Sequence, residues 1–392
     1  MIAMGMQEQG RGAHRYLFAL TDGGGTIPPE LGVVHRLVAK GHQVSVLADA
    51  TMRTAVAATG ASYTQWSGER PGEIQDWKKV GPKRKAQMTV EYMITDRAAD
   101  QLHDTPAALD IFTPHRVVTS FNALGAMIAA ESRGVDYNVL LPNIYPMPAK
   151  GLPPLALGLA PAYGVWGATR DHMLKVIGGR LINFMALATI NALRRQNNVE
   201  PLDSVWNQVH RAVGELILTS AAFDFPAELP ANARYVGPIL DDPQLATGEA
   251  LDFPRGDLLV RGVLTTGPAA RVEQIRAPSN VEILGAAPHA QIMQKADRII
   301  THSGHGTVIK ALAARVPLLI LPHGRDQLEN ASRVTRRGAG IAISRKASVA
   351  KISTAITRIL GAESYRLAAA DLGRKVLEDA RNEHLLCAEL AT

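Results

Sequence analysis

The sequence predicts an α/β protein built from two Rossmann-like domains. Three observations predict it. Short apolar, β-branched runs alternate with segments of helical spacing through both halves, the pattern of parallel sheets covered by helices. Each half carries a strand that runs into a Gly-rich turn and then a helix, at Asp22 to Glu30 and at His302 to Thr307. The chain has 392 residues, more than one core usually supports.

Bulk properties narrow the class. Hydrophobic residues make up 46% and charged residues 20%, which suits a globular protein with a substantial core. The net charge of +6 gives a mildly basic surface, which attracts phosphates or an anionic membrane as readily as it stays merely solvated. No dense Lys/Arg block is interleaved with aromatics, so a nucleic-acid partner is not expected. Cys387 is the single cysteine, which excludes an internal disulfide and a cysteine-based zinc site and suits a reducing, cytoplasmic setting. The first twelve residues lack the apolar run of a signal peptide and are expected to be a disordered lead.

The N-terminal domain is expected over residues 13–238. Arg15 to Leu20 reads as a strand, Leu31 to Ala39 as a helix stopped by Gly41, and Gln43 to Ala48 as the next strand. Gly23, Gly25 and the later Asp49 suggest a dinucleotide fingerprint. Pro28 stands at the third glycine position, however, and Pro28-Pro29 would crowd a pyrophosphate, so NAD or FAD is disfavoured. The stretch after Tyr63 becomes helical near Val90 to Leu102, and Trp66, Trp77 and Tyr92 there either pack in the core or line a pocket. Arg116 to Phe121 is a strand, Ala123 to Arg133 a helix and Tyr137 to Leu141 a strand.

Pro142 to Gly179 is long, apolar and rich in Pro and Gly, which marks a functional loop. Gly151 to Thr169 carries no charge, yet Pro153, Pro154 and Pro161 argue against a transmembrane segment, and an apolar loop with short helical pieces is expected. Leu181 to Gln196 is helical, and strands at Glu215 to Ser220 and Ala233 to Pro238 close the half. Residues 239–256 read as the linker, in which Asp241-Asp242 is a solvated pair rather than a metal site.

The second domain is expected over 257–392, with strands at Leu258 to Thr266, Asn280 to Ala286, Arg298 to Thr301, Pro317 to Leu321 and Ile341 to Ile343, and helices at Val308 to Ala314 and from Val349 to Leu390. The turn His302-Ser303-Gly304-His305-Gly306-Thr307 places unpaired backbone N–H groups at a helix N-terminus, where an anion is favoured. Gly304 and Gly306 allow close approach, Thr307 adds a hydroxyl, and His302 could reach a phosphate oxygen. After the next strand, Asp326 and Gln327 offer a carboxylate and an amide suited to vicinal hydroxyls. Phosphate beside a polyol describes a nucleotide sugar.

Pro288-His289, the His302 to Thr307 turn, and Asp326-Gln327 followed by Asn330-Ala331 together resemble the donor signature of the UDP-glycosyltransferase-like family, antibiotic type. The resemblance implies the GT-B fold, in which two Rossmann-like domains face a central cleft. It implies inverting, metal-independent transfer of a hexose from a UDP- or TDP-sugar to a hydroxyl of a lipophilic acceptor, a natural product or glycolipid. The nucleotide sugar is then a co-substrate and no cofactor is needed. Donor contacts fall on His289, His302, Ser303, Gly304, His305, Gly306, Thr307, Asp326 and Gln327. Peripheral contact with a membrane fits a lipid acceptor. Thr26 stands where the family has its catalytic histidine and Ser120 where it has the partner aspartate, which leaves Asp22 and His305 as candidate bases. Lys310 stands where relatives place a ribose-binding glutamate, and Ala286 where plant relatives place a base-stacking tryptophan. About one β–α unit is missing at the start of the second domain, by the usual size of such units. The alternative is a catalytically impaired relative acting as an auxiliary binding protein, with a sugar-nucleotide epimerase of the same architecture behind it.

Overall fold

Strands apolar on both faces, each followed by a helix with one apolar stripe, bury their surfaces best as parallel sheets with right-handed crossovers. The computed structural model describes residues 13–68, 81–241, 262–266, 272–285 and 287–391. The expected disordered lead, Trp77, Ala286 and residues 242–256 of the expected linker lie outside them.

The first half runs β1 (Arg15–Ala19), α1 (Ile27–Ala39), β2 (Gln43–Ala48), α2 (Arg53–Ala57), β3 (Ser62–Gln65), α3 (Pro82–Val90), α4 (Ala98–Phe112), β4 (Arg116–Ser120), α5 (Leu124–Ser132), β5 (Tyr137–Leu141), α6 (Gly164–Gln196), α7 (Asn207–His210), β6 (Gly214–Ile217) and β7 (Ala233–Tyr235). Its strands form one parallel sheet in the order β3-β2-β1-β4-β5-β6-β7. Leu17 aligns with Ser45 on one side and Val117 on the other. Alternate residues serve opposite faces. Leu17 and Ala19 join one core cluster with Val117 and Val139, whereas Tyr16 and Phe18 join the other with Val118 and Leu140. Strand order reverses between β1 and β4, so the loops after these two strands part and leave a crevice at their carboxyl ends.

The second half contains β8 (Gly262–Thr265), β9 (Val281–Leu284), α8 (His289–Lys295), β10 (Ile299–Thr301), α9 (His305–Ala313), β11 (Leu318–Ile320), α10 (Gln327–Arg336), β12 (Gly340–Ala342), α11 (Val349–Gly361), α12 (Glu363–Ala380) and α13 (Glu383–Ala391). The strands β10, β11 and β12 form one parallel sheet and β8 pairs with β9 in another. Among the described residues no ladder joins the two sheets. Exposed Leu264 on β8 and Ile300 on β10 both line the space left between them.

The chain's end returns to the first domain. Leu386 and Leu390 of α13 are buried in the cluster that holds Tyr16 and Phe18. Gly237 lets α12 pass close: it has a φ of +87°, and a Cβ there would lie 2.2 Å from the carbonyl oxygen of Asp379.

One expectation is corrected. The apolar loop with short helical pieces is helix from Gly164 onward, and α6 runs unbroken for 33 residues. Its Ala, Leu, Met, Arg and Lys residues favour helix strongly enough to carry Gly167, Gly178 and Gly179. Among the described residues α6 alone is long and apolar enough to cross a bilayer, and its most apolar window is 17% buried. Its second half nonetheless belongs to the domain. Ala186 and Ile190 are buried, and buried Arg194 pairs with Glu131 at 2.7 Å. Such an ion pair anchors the helix to the protein rather than to lipid.

Candidate active site

One continuous cavity of about 3320 Å³ takes in the cleft between the halves and the space beside β8 and β10. Its lower wall is the turn after β1 and the start of α1. Asp22, Thr26 and Glu30 all line it. Asp22 is held in place: Oδ1 accepts from the N–H of Gly24 at 2.9 Å and Oδ2 from the hydroxyl of Thr51 at 2.6 Å. Thr26 is at the N-cap of α1 without capping through its side chain. The Asp49 of the dinucleotide pattern is spent on structure. It pairs with buried Arg97 at 2.9 Å and accepts from the N–H of Asp22 at 2.8 Å.

The upper wall is the turn after β10. Gly304 caps α9, and His302, Gly304, Gly306 and Thr307 line the cleft. A Cβ at Gly306 would meet nothing within 4 Å, so the main chain there is open to a ligand. Ser303 has a φ of +77°, unusual for a residue with a side chain, and Asn330 steadies it by donating to its carbonyl oxygen at 3.0 Å. Burial lowers the pKa of His302, and the nearby His323 and Arg325 push in the same direction. Both residues, missed in the sequence, line the cleft, and Arg325 adds a positive charge where an anion would sit. The adjacent His323-Gly324-Arg325 was the available signal.

Asp326 and Gln327 reach the same cleft. Burial raises the pKa of Asp326, opposed by donation from Asn330 and from the N–H of His305. Gln327 turns its Oε1 onto the N–H groups of His323 and Gly324, at 2.8 and 3.2 Å. Asp326 and Gln327 thus lie side by side at the cleft, and each also braces a turn. His289 starts α8, lines the cleft and lies 3.5 Å from the hydroxyl of Thr265.

His305 corrects an expectation. Its ring is turned to the first domain, where Nε2 shares a 2.7 Å hydrogen bond with Thr219 Oγ1 and the ring meets Phe223 edge to face. Burial lowers its pKa to about 4, so it is neutral and engaged. As a base it is ill placed, and its share in a donor site is main-chain only. Lys310 also serves the domain contact, donating to the carbonyl oxygen of Asp241 at 2.9 Å. Trp66 is core, since it is buried and its indole donates to Leu20 O at 2.9 Å, whereas Tyr92 does line the cleft.

One helix connects everything. α10 begins at Gln327, and residues spaced along one of its faces grip the first domain. Glu329 accepts from the N–H of Gly158 at 2.9 Å, Arg333 pairs with Asp224 at 2.7 Å, and Arg336 bonds the Tyr163 hydroxyl.

Comparison with known proteins agrees with this geometry. Residues 260–384 match the family described as Erythromycin biosynthesis protein CIII-like, C-terminal domain. The chain is 26% identical over 409 aligned positions to 4'-demethylrebeccamycin synthase of Lentzea aerocolonigenes, spanning 91% of this chain and 94% of that protein. The solved glycotransferase of kitacinnamycin superposes with a TM-score of 0.74 at 18% identity, over 96% of this chain and 99% of that one. The glycosyltransferase VinC, solved in complex with dTDP, superposes with a TM-score of 0.65 at 18% identity, over 96% and 99%. The chain therefore has the GT-B fold of two facing Rossmann-like domains. Residues 260–384 carry an EryCIII-like C-terminal domain, and over nearly its whole length the chain is similar to antibiotic glycosyltransferases.

Proposed function

We propose that the chain transfers a hexose, with inversion, from a UDP- or TDP-sugar to a hydroxyl of a lipophilic acceptor. The observation that carries this reading is the α9 N-terminus, open at Gly306, which lines the same cleft as the turn at Thr26. Main-chain N–H groups and the His302 ring would take the charge that develops on the leaving diphosphate. Asp326 and Gln327 would hold the sugar hydroxyls, and His289 the nucleoside. No metal enters this scheme. The solved relative that holds dTDP supports a pyrimidine nucleotide at this site. Apolar Leu155, Leu157, Ile182 and Met185 line the other end of the cleft and support a lipophilic acceptor.

A membrane-borne acceptor, or one dissolved in lipid, is favoured by α6. Trp166, Met173, Ile177 and Phe184 recur on one helical face, and Trp166 is 90% and Phe184 86% exposed. Arg170 and Arg180 flank that face. An apolar stripe with aromatic residues and flanking arginines is the composition of a helix lying in a lipid interface. The protein would then work at the inner, cytoplasmic surface, which its single cysteine suits. We read the break between the two sheets of the second half as the place of the missing β–α unit.

The test is a transfer assay with UDP- and TDP-hexoses against a panel of lipophilic alcohols and phenols, read by mass, with the anomeric configuration read by NMR. A product of inverted configuration is expected. Saturable nucleotide binding without any product would replace this reading with that of an auxiliary binding protein.

A further inference from the structure

We infer that the exposed face of α6 and the apolar rim of the cleft form one surface, through which an acceptor dissolved in an anionic bilayer enters the cleft without passing through water. The inference rests on the transfer reading above and adds the route by which the acceptor arrives.

The first half of α6 is fixed with its polar side against the protein. Lys175 Nζ donates to the carbonyl oxygens of Ala149 and Leu152, both at 3.0 Å, and buried Asp171 accepts from the N–H of Ala162 at 3.3 Å. These bonds tie the helix to the loop before it and set which face is turned outward. At 3.6 residues per turn, Trp166, Met173, Ile177 and Phe184 fall within about 40° of one another, on the side opposite Asp171 and Lys175. Leu181 and Met185 follow about 60° and about 100° round from the centre of that stripe, and both line the cleft.

Leu181 belongs to both surfaces. It is 47% exposed, and Leu155 and Leu157 on the loop before the helix are 48% and 49% exposed while lining the same cavity. The acceptor end of the cleft therefore opens through apolar side chains that stand half in water. Gly178, three positions before Leu181, also lines the cavity, and a Cβ there would meet nothing within 4 Å. The helix leaves room for a ligand to pass at that point.

An apolar rim joined to an apolar stripe is the kind of contiguous patch that meets a partner or a membrane. Charge favours the membrane over a second copy of the chain. Arg170, held by Asp171 at 2.7 Å, and Arg180 border the stripe about 40° to either side of its centre, and the chain carries a net charge of +6. Two such faces repel each other, whereas anionic headgroups attract them. A helix lying flat in the interface sinks its apolar face about 5–10 Å, to the boundary of headgroups and acyl chains. The rim at Leu181 then opens toward lipid, and a lipophilic alcohol slides from the bilayer into the cleft.

The experiment holds a pyrene-labelled fatty alcohol in phosphatidylglycerol vesicles and reads its passage to the full chain by loss of excimer emission. Vesicle sedimentation and UDP and TDP calorimetry run beside it. The wild type should bind the vesicles and take up the alcohol. Gly178→Leu should fold, because its side chain meets open space and Leu favours helix over Gly. It should bind vesicles and nucleotide as the wild type does, yet take up the alcohol about tenfold more slowly, since a narrowed passage raises the barrier. Leu181→Gln, which sets a polar group on the rim, should slow uptake as well. Uptake by both variants at the wild-type rate overturns the route and leaves the transfer reading intact. A wild type that takes up no alcohol also overturns the route. So does a dimer in sedimentation equilibrium that Trp166→Ser makes monomeric, because a second copy then covers the stripe. Uptake slowed as expected, in a protein that binds nucleotide and forms no product, keeps the route and removes the transfer reading.

Discussion

Arg333 and Asp224 meet across the two halves of the chain with Nη2 and Oδ1 2.7 Å apart, and both are almost fully buried. Arg333 lies on α10, the helix that starts at Gln327, and Asp224 in the loop after β6 also accepts from Tyr145 N at 3.1 Å and the Tyr235 hydroxyl at 3.0 Å. Breaking such a pair from one side strands a charge. Arg333→Met should destabilise the protein by about 3–5 kcal/mol in denaturant unfolding. Asp224→Asn should cost a similar amount, and the double variant less than the sum, which a double-mutant cycle measures directly.

Gly306 tests the donor site without disturbing the fold. A Cβ there finds open space, so Gly306→Ala should melt at the wild-type temperature. The added methyl would intrude where the diphosphate approaches the main chain. Calorimetry should show UDP and TDP affinity reduced about tenfold or more, a loss of about 1.4 kcal/mol. Unchanged affinity would move the phosphate away from α9.

Glu30 predicts a dependence of stability on pH. Its folded pKa, about 8, stands above the ordinary 4.5. Below 4.5 the carboxyl is protonated in both states and no penalty applies. As pH rises toward 8 the unfolded chain ionises while the folded one resists, and stability is lost. Each pKa unit is worth about 1.4 kcal/mol, so the loss amounts to a few kcal/mol. Glu30→Gln should therefore gain on the wild type between pH 4.5 and 8, with a constant difference outside that window.

Glu329 joins α10 to the loop before α6 through the N–H of Gly158. Its other oxygen is buried without a partner. Glu329→Ala should free this loop, which carries Leu155 and Leu157 of the apolar wall. The KM for the acceptor should rise several-fold while nucleotide affinity holds, in a two-substrate kinetic analysis.

The exposed stripe of α6 makes a separate prediction. The wild type should sediment with vesicles rich in anionic phosphatidylglycerol, and Trp166→Ser with Phe184→Ser should abolish most of that binding. Retained binding by the double variant, or none by the wild type, would remove the lipid contact.

Much of this fold was legible because strands buried on both faces announce themselves. Gln43 to Ala48 and Tyr137 to Leu141 have the bounds read from sequence. The turn between β10 and α9 was legible too, since Gly304 and Gly306 sit between a strand and a helix. Other features depend on packing that one dimension hides. α6 shows no simple polar face, because its outward surface is itself apolar, and its glycines suggested a loop. Glu30 looked like an ordinary acidic residue in a first helical turn, where it complements the dipole; only the sheet beneath it reveals that it is sealed from water. His305 lay within the signature, yet its ring turned toward Thr219, a partner 86 positions away.

Leu386 and Leu390 complete a core whose other members include Tyr16 and Phe18. A core that starts with β1 thus waits for a helix beyond the second domain's sheets before it can close. A fragment that stops short of α13 would leave that apolar floor bare to chaperones and proteases.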